Sequence, residues 1–532
     1  VMKTSAIASL SLTAVLTLAG CATTPKPAPE APAPTAPQAA GAPATPPTLP
    51  AVPLKEPKPM ELVVQAHPDT PIVSLRFVFH TGSVDDPKGK EGLTALTAHL
   101  MAEGGTQKLT AAQLLEVLYP MAAELEVHPD KEFTTLTGRV HKDFLPRFLD
   151  LFTDVLLAPR FDPAEFERLR ANALSAVRNG LRSENDEALG KVGLDSLLYA
   201  QHPYGHYSGG TVQGLQSLTL EDVKAQAQRV FTQDRLVIGL AGPVDEALQR
   251  TVTTRLSGLP ASGAPRVALP PISTEGGRVL ILQKPALSTA VSMGAAVPLR
   301  RGDPDFFSVA FAMSYLGEHR QFIGVLFNEL REKRGLNYGD YTYAEHFSED
   351  PGTTYHRPNI ARTQQDLTVW LRPVVPANAL FATRGAMYFL ERLVTQDIPQ
   401  DRFDISRGFL QGYTRLWEQT DQRRLGYAID SLYYGTPHFL EQYREALAKM
   451  TPASVHAAVS KFVHPEGLNY VFVTEDAQGL AQALRSGQPS PITYASPKAP
   501  ELLQLDQTLI SLPLPVRPDA IRVVPVAEFM EK

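Results

Sequence analysis

Cysteine is almost missing from this chain: Cys21 stands alone among 532 residues. One thiol cannot build a disulfide framework or a cysteine-ligated zinc cluster. Tryptophan is scarce, with two residues, and there is no block of basic charge. Lysine and arginine total 50 against 56 acidic residues, a net charge of −6, which argues against nucleic acid as a partner. No apolar run is long enough to be read as a membrane-spanning helix. What is present fits a folded body, with 43% apolar and 20% charged residues. The length is too great for one compact core, so two or more domains are expected.

The N-terminal stretch "VMKTSAIASLSLTAVLTLAGCATTP" carries one lysine, an apolar run of about 13 residues, then small residues. That is the pattern of a secretory signal over residues 1–20. The run closes on Leu18-Ala19-Gly20-Cys21, which resembles a bacterial lipobox, where the cysteine is lipidated and becomes the first mature residue. A plain signal peptide with a chance cysteine is the alternative. With Cys21 assigned to a lipid anchor, a thiol nucleophile is excluded too. Ala22 after it implies, by the same resemblance, an outer-membrane lipoprotein facing the periplasm. From Pro25 to Pro59 runs a Pro/Ala tract holding 13 of the 46 prolines. It cannot bury a core and is expected to be a disordered, mostly polyproline II stalk, on the order of 100 Å long at ~3.1 Å per residue.

Beyond the stalk the chain reads as a duplication. A strand-like "TPIVSLRFVFHTGS", a broken helix pair through "RFDPAEFERLRANALSAVRNG" and a final helix and strand, "LTLEDVKAQAQRVFTQDRLVIGLAGPVD", form the first unit. "STAVSMGAAVPL", "NALFATRGAMYFLERLVTQDIPQDRFDISRGFLQGYTRL" and "MTPASVHAAVSKFVHPEGLNYVFVTEDA" replay that order. Phe166 matches Phe403, Asp195-Ser196 matches Asp430-Ser431, and Thr219 matches Thr451, at separations of 237, 235 and 232. Near-constant separations mark an internal repeat. The expected division is a signal over 1–20, a lipidated cysteine and linker over 21–58, and domains over 59–258 and 278–485. A Pro/Gly/Ser-rich, hinge-like linker over 259–277 joins them, and a tail over 486–532 has no legible fold.

Four phrases carry a resemblance: "GSVDDPKGKEGLTALTAHLMAEGGT", "LLAPRFDPAEFERLR", "HPYGHYSGGTVQGLQSLTLEDV" and "LFNELREKRGLNYGDYTY". With the order of elements and the duplication, they resemble the M16 zinc endopeptidases (the pitrilysin, insulinase and mitochondrial processing peptidase family), the bacterial M16B type above all. The resemblance spans roughly residues 58–485 and implies two homologous α+β domains, each a mixed sheet packed with helices. They would face each other as a clamshell around a chamber, with four such domains in a complete peptidase.

Active members place H-x-x-E-H on the helix before the Gly-Thr. Two histidines at i and i+4 share one helix face and bind zinc, while the glutamate acts as general base for the metal-bound water. A third ligand, a glutamate on a later helix, completes the set. Here the first histidine position is Ala95, the glutamate position is Ala98, and only His99 is kept. The third position falls near Ser175–Val177, where there is no carboxylate; Glu184, Asp186 and Glu187 follow too late. A lone imidazole holds no zinc, so no metal and no catalytic residue is expected in this chain. His99 then reads as a helix histidine facing a partly polar cavity, or as one ligand of an unconventional site whose other members are not visible. His202 and His206 flank a Pro and a Gly and read as loop residues, and His346 has no partner at ligand spacing.

The phrase "LREKRGLNY" keeps the family's Arg at a helix end and Tyr seven residues on, Arg331 and Tyr338. In the resembled enzymes this pair lies opposite the zinc, contacts a substrate carbonyl and steadies the developing oxyanion. Well-placed donors of this kind contribute about 2–4 kcal/mol each. The plainer reading makes Arg331 a solvated helix charge paired with Glu329 or Glu332, and Tyr338 a strand aromatic. Some M16B peptidases are heterodimers in which one chain bears H-x-x-E-H and its companion the Arg/Tyr pair. The resemblance therefore implies a non-catalytic, substrate-contacting subunit of an envelope endopeptidase. Zinc would sit in an H-x-x-E-H partner, the substrate would be a peptide or unfolded protein, and the membrane would be met only through the lipid. A peptide-binding or scaffold lipoprotein is the alternative, and an autonomous metallopeptidase is less in keeping with the missing carboxylates.

Overall fold

In the computed structural model residues 48–319, 321–347, 358 and 361–532 are described; the signal segment, Cys21 and most of the Pro/Ala tract lie outside them. The strands are β1 (Thr48–Leu49), β2 (Glu61–Ala66), β3 (Ile72–Phe79), β4 (Glu124–Pro129), β5 (Thr134–His141), β6 (Leu236–Gly242) and β7 (Ile272–Ser273). They continue as β8 (Val279–Gln283), β9 (Thr289–Val297), β10 (Asn337–Tyr343), β11 (Gln365–Val374), β12 (Asn469–Thr474) and β13 (Ile521–Pro525). One sheet has the order β2-β6-β3-β5-β4, the other β13-β8-β12-β9-β11-β10. Without β13 the two orders are the same. Directions agree as well: β2 with β6 and β8 with β12 are parallel, and the remaining pairs of both series are antiparallel.

The repeat seen in sequence is therefore a repeat of topology. Phe166 and Phe403 sit at the same place in the helices Pro163–Ser175 and Gln400–Trp417, 4% and 0% exposed. Each carries an arginine one turn on, Arg170 and Arg407, stacked 5.2 Å from its ring. Thr219 and Thr451 each cap the helix that precedes the last strand of their series, in a reciprocal capping box. Satisfying the first free N–H groups in this way stabilises a helix end by about 1 kcal/mol.

Each half lends a helix to the other. The helix Asp186–Leu198 lies on β8, β9 and β12, and the helix Asp421–Tyr434 lies on β2, β3 and β6. Leu189, Leu194 and Leu198 are buried with Leu280, Leu282, Val471 and Val473. Leu425, Ile429 and Tyr433 are buried with Val78, Val237 and Ala241. Close approach on the first of these faces needs glycine: a Cβ at Gly193 would stand 2.9 Å from Val471 Cγ1. Neither core is complete without the other half.

Two expectations are corrected. The tract expected to stay extended and free through Pro59 docks from Thr48 onward: β1 pairs with β7, Leu54 is 6% exposed, and the Lys55 N–H donates to the Tyr433 carbonyl at 2.7 Å. Leu54 of the tract enters a core with Val78, Phe133 and Tyr433. The hinge-like linker is pinned, not free: the carbonyls of Pro260 and Ala261 accept from the N–H groups of Gln233 and Asp234, and that of Ala264 from Arg235. The tail also folds. It forms the helix Pro500–Ser511, adds β13 in parallel to β8, and returns to the first half, where the Met530 carbonyl accepts from Val212 N–H at 3.0 Å. Among the described residues no helix is long and apolar enough to cross a membrane.

Candidate functional site

The motif positions lie on the helix Leu93–Glu103. Asp86 starts that helix: its carboxylate accepts from the N–H groups of Gly92 and Thr94 and from the Thr94 hydroxyl, each at 2.7 Å. Gly92 has φ +102°, and its backbone runs so near Gly210 that a Cβ there would stand 2.9 Å from the Gly210 Cα. The phrases around "GLTALTAHL" and "HYSGGT" are thus two sides of one backbone contact. His206 from the second phrase reaches Asp86, Nε2 to Oδ2 at 3.5 Å. His202 turns its Nδ1 back to accept from Tyr204 N–H at 3.0 Å, and burial pushes its pKa down to about 4.

Ala95 and Ala98 are 6% and 2% exposed, and Ala98 packs with Met101 and Ala102 into the first core. Neither offers a lone pair. His99 is half-buried at the helix surface, its Nδ1 2.7 Å from Glu103 Oε1 one turn on. That hydrogen bond holds the Glu103 carboxyl below the usual carboxylate range. His99 is thus paired along its own helix. At Ser175–Val177 the chain passes from a helix into the wider π-helical turn Ala176–Glu184, with Ser175 and Ala176 exposed and Val177 buried. Asp186 pairs with Lys284, and Glu187 with Lys191 and Arg372. The residues present do not fit the family's zinc.

The second half is different. Arg331 lies in the last turn of the π-helical segment Phe327–Glu332, and Tyr338 lies on β10, the edge strand of the six-stranded sheet. The structure brings them together. The guanidinium carbon is 4.6 Å from the centre of the Tyr338 ring and 4.8 Å from that of Phe327, so the cation is held between two aromatic faces. Among the described residues its nearest carboxylate is Glu332 at 3.6 Å, whereas Glu329 is taken by Lys333 and Arg334. Tyr338 is 63% exposed. Stacking fixes the orientation of an arginine while leaving its in-plane N–H donors free. The pair can therefore present donors to an oxygen brought from outside.

Asp340, two residues on along the same face of β10, escaped notice in the sequence. It is 4% exposed, and among the described residues neither carboxylate oxygen has a hydrogen-bond partner. The neighbouring Asn337 amide goes instead to the Gly339 carbonyl at 2.7 Å. Burial pushes the Asp340 pKa up to about 7. His346, without a partner at ligand spacing in the sequence, meets two in the fold: ligand atoms of Asp195, His346 and Asp366 lie within 4.8 Å of one another. Partners 151 and 20 residues away leave no spacing signal.

The sequence pattern described as Insulinase (Peptidase family M16) matches residues 61–200, and that described as Peptidase M16 inactive domain matches residues 217–358. The chain is 23% identical over 408 residues to the "Non-peptidase homolog YmxG" of Helicobacter pylori, covering 76% of this chain and 89% of that protein. It is 25% identical over 414 residues to an uncharacterized zinc protease of Mycobacterium bovis, covering 75% and 88%. The crystal structure of a peptidase M16 inactive domain from Pseudomonas fluorescens superposes with a TM-score of 0.68 at 19% identity, covering 80% of this chain and 98% of that one. A protease from Helicobacter pylori gives 0.67 at 16% identity, covering 81% and 100%. The chain belongs to the M16 peptidase family, as a member without the H-x-x-E-H zinc motif.

Proposed function

We propose that this protein is the non-catalytic, substrate-contacting subunit of a heterodimeric M16 endopeptidase. Its companion carries H-x-x-E-H and the zinc. The observation that supports this reading is the contrast between the two halves. Ala95 and Ala98 are apolar and buried, while Arg331 is half-buried and stacked on Tyr338, which is open to solvent. Among the described residues the half-buried guanidinium has one loose ion pair, to Glu332 through Nε at 3.6 Å, which leaves further N–H donors for an oxygen brought from outside. Aimed at a peptide carbonyl in a partner's site, it would stabilise charge that develops on that oxygen. The substrate is a peptide or an unfolded protein segment. Lipidation at Cys21 would tether the complex to the envelope, facing the periplasm from the outer membrane.

The test is peptide cleavage by the purified chain alone, by an H-x-x-E-H chain alone and by the two mixed. The expected result is that this chain is inert, and that the mixture exceeds the partner by a factor that Arg331→Ala abolishes. A mixture no more active than the partner would instead support a peptide-binding scaffold lipoprotein. Cleavage by this chain alone would overturn both readings.

A further inference from the structure

The two lent helices differ where their matched aspartates meet the other half. On Asp421–Tyr434, Asp430 is 0% exposed and Arg301 lies 3.3 Å away, bridging it to Glu345 at 2.7 Å. On Asp186–Leu198, Asp195 has no such match. Its closest cation, Lys131 Nζ, is 3.7 Å away and already donates to the His206 carbonyl. Across from Asp195 stands Asp366 of β11, 1% exposed, with the Tyr199 hydroxyl donating to its Oδ2 at 2.9 Å. His346, just beyond β10, completes a triangle of donors within 4.8 Å.

These groups lie on a face poor in hydrogen-bond partners. Asp366, Thr368 and Trp370 alternate onto one side of β11, toward the lent helix, where Lys191 lies 3.9 Å from the Trp370 ring. Among the described residues, Gln364 Nε2, Thr368 Oγ1 and Trp370 Nε1 are buried without a partner. Native interiors rarely leave such a row unsatisfied, and the Gln364 and Trp370 N–H groups would donate to water held in this space. Lys131 is the cation nearest Asp195, and the Arg362 guanidinium is bound to Asp130 at 3.0 Å.

We propose that Asp195, His346 and Asp366 bind one divalent transition-metal ion, Zn²⁺ or Mn²⁺, between the two halves. The site is distinct from the family's zinc position on Leu93–Glu103. Two carboxylate oxygens and one imidazole nitrogen suit either ion, with open positions left for water. Ligands at ~2.1 Å around a tetrahedral ion stand about 3.4 Å apart, so side-chain rotation closes the remaining gap. Asp195 comes from the first half and the other two from the second, so the ion would clip the lent helix to the sheet it covers. It touches neither Arg331 nor Tyr338, and its failure would leave the proposed function intact.

The test strips the full chain with chelator, reloads it separately with Zn²⁺ and Mn²⁺, and measures retained metal by mass spectrometry and the melting temperature by circular dichroism. One equivalent of one ion should be retained by the wild type and by His99→Ala, with a raised melting temperature that follows metal concentration. Asp366→Asn and His346→Ala should weaken binding at least tenfold and lose that rise while keeping the wild-type far-ultraviolet spectrum. If Asp366→Asn fails to fold, His346→Ala decides, because it removes one ligand and introduces no polar group. No stoichiometric binding of either ion, undiminished binding in His346→Ala, or loss of binding in His99→Ala would each overturn the proposal.

Discussion

Arg331 lies face to face with Tyr338, its guanidinium carbon 4.6 Å from the ring centre, and both reach solvent at the edge of the second sheet. A lone surface arginine loses its orientation to side-chain entropy; one held between Tyr338 and Phe327 has lost that freedom before any ligand arrives. In the mixed peptidase, Arg331→Ala should lower kcat/KM about 10²- to 10³-fold, the range for loss of one preorganised donor. Arg331→Lys should recover little, since an ammonium neither stacks as a plane nor donates as a fork. Melting temperatures should stay within a degree or two of wild type, because neither side chain is in a core. Steady-state kinetics beside calorimetry checks this, and a variant with full activity would remove the pair from the mechanism.

Gly193 marks the closest approach of the lent helix to the second sheet, with its missing Cβ 2.9 Å from Val471 Cγ1 and 3.3 Å from Leu282 Cδ1. Gly193→Val would overpack a face with no room to yield. The expected cost is about 1–3 kcal/mol of unfolding free energy, read from the urea midpoint. An unchanged midpoint would mean that this face is looser than its geometry.

Asp340 adds a pH dependence. Its folded-state pKa is pushed up to about 7, from an ordinary carboxylate value, by burial. The folded carboxyl therefore keeps its proton over a range in which the unfolded one has lost it. Its contribution to stability is whole below the unfolded pKa and is lost as the pH rises toward 7. Asp340→Asn, which stays neutral, should gain on the wild type in melting temperature between pH 5 and pH 8. A constant difference across that range would show that Asp340 is ionised throughout.

The outline of the fold was legible because it rests on local pattern. Phe166, Asp195 and Thr219 recur at near-constant spacing, and capping boxes and buried phenylalanines are set by residues within a few positions of one another. The edge of the stalk was misplaced because a proline-rich tract looks the same whether solvated or docked. Only the pairing of Thr48–Leu49 with Ile272–Ser273 tells the two apart. Asp340 was invisible because burial of a carboxylate is decided by what packs over the strand.

The sequence by itself determined the duplication, the family, and the loss of the zinc ligands at Ala95 and Ala98, since ligand spacing on one helix is a property of consecutive residues. Only the tertiary structure decided that each half covers the other's sheet, that Arg331 stacks on Tyr338, and that Asp195 meets His346 and Asp366. Those contacts join segments as far apart as Gln65 and Arg424, 359 residues. Long-range burial selects such contacts, and no local pattern along the chain records them.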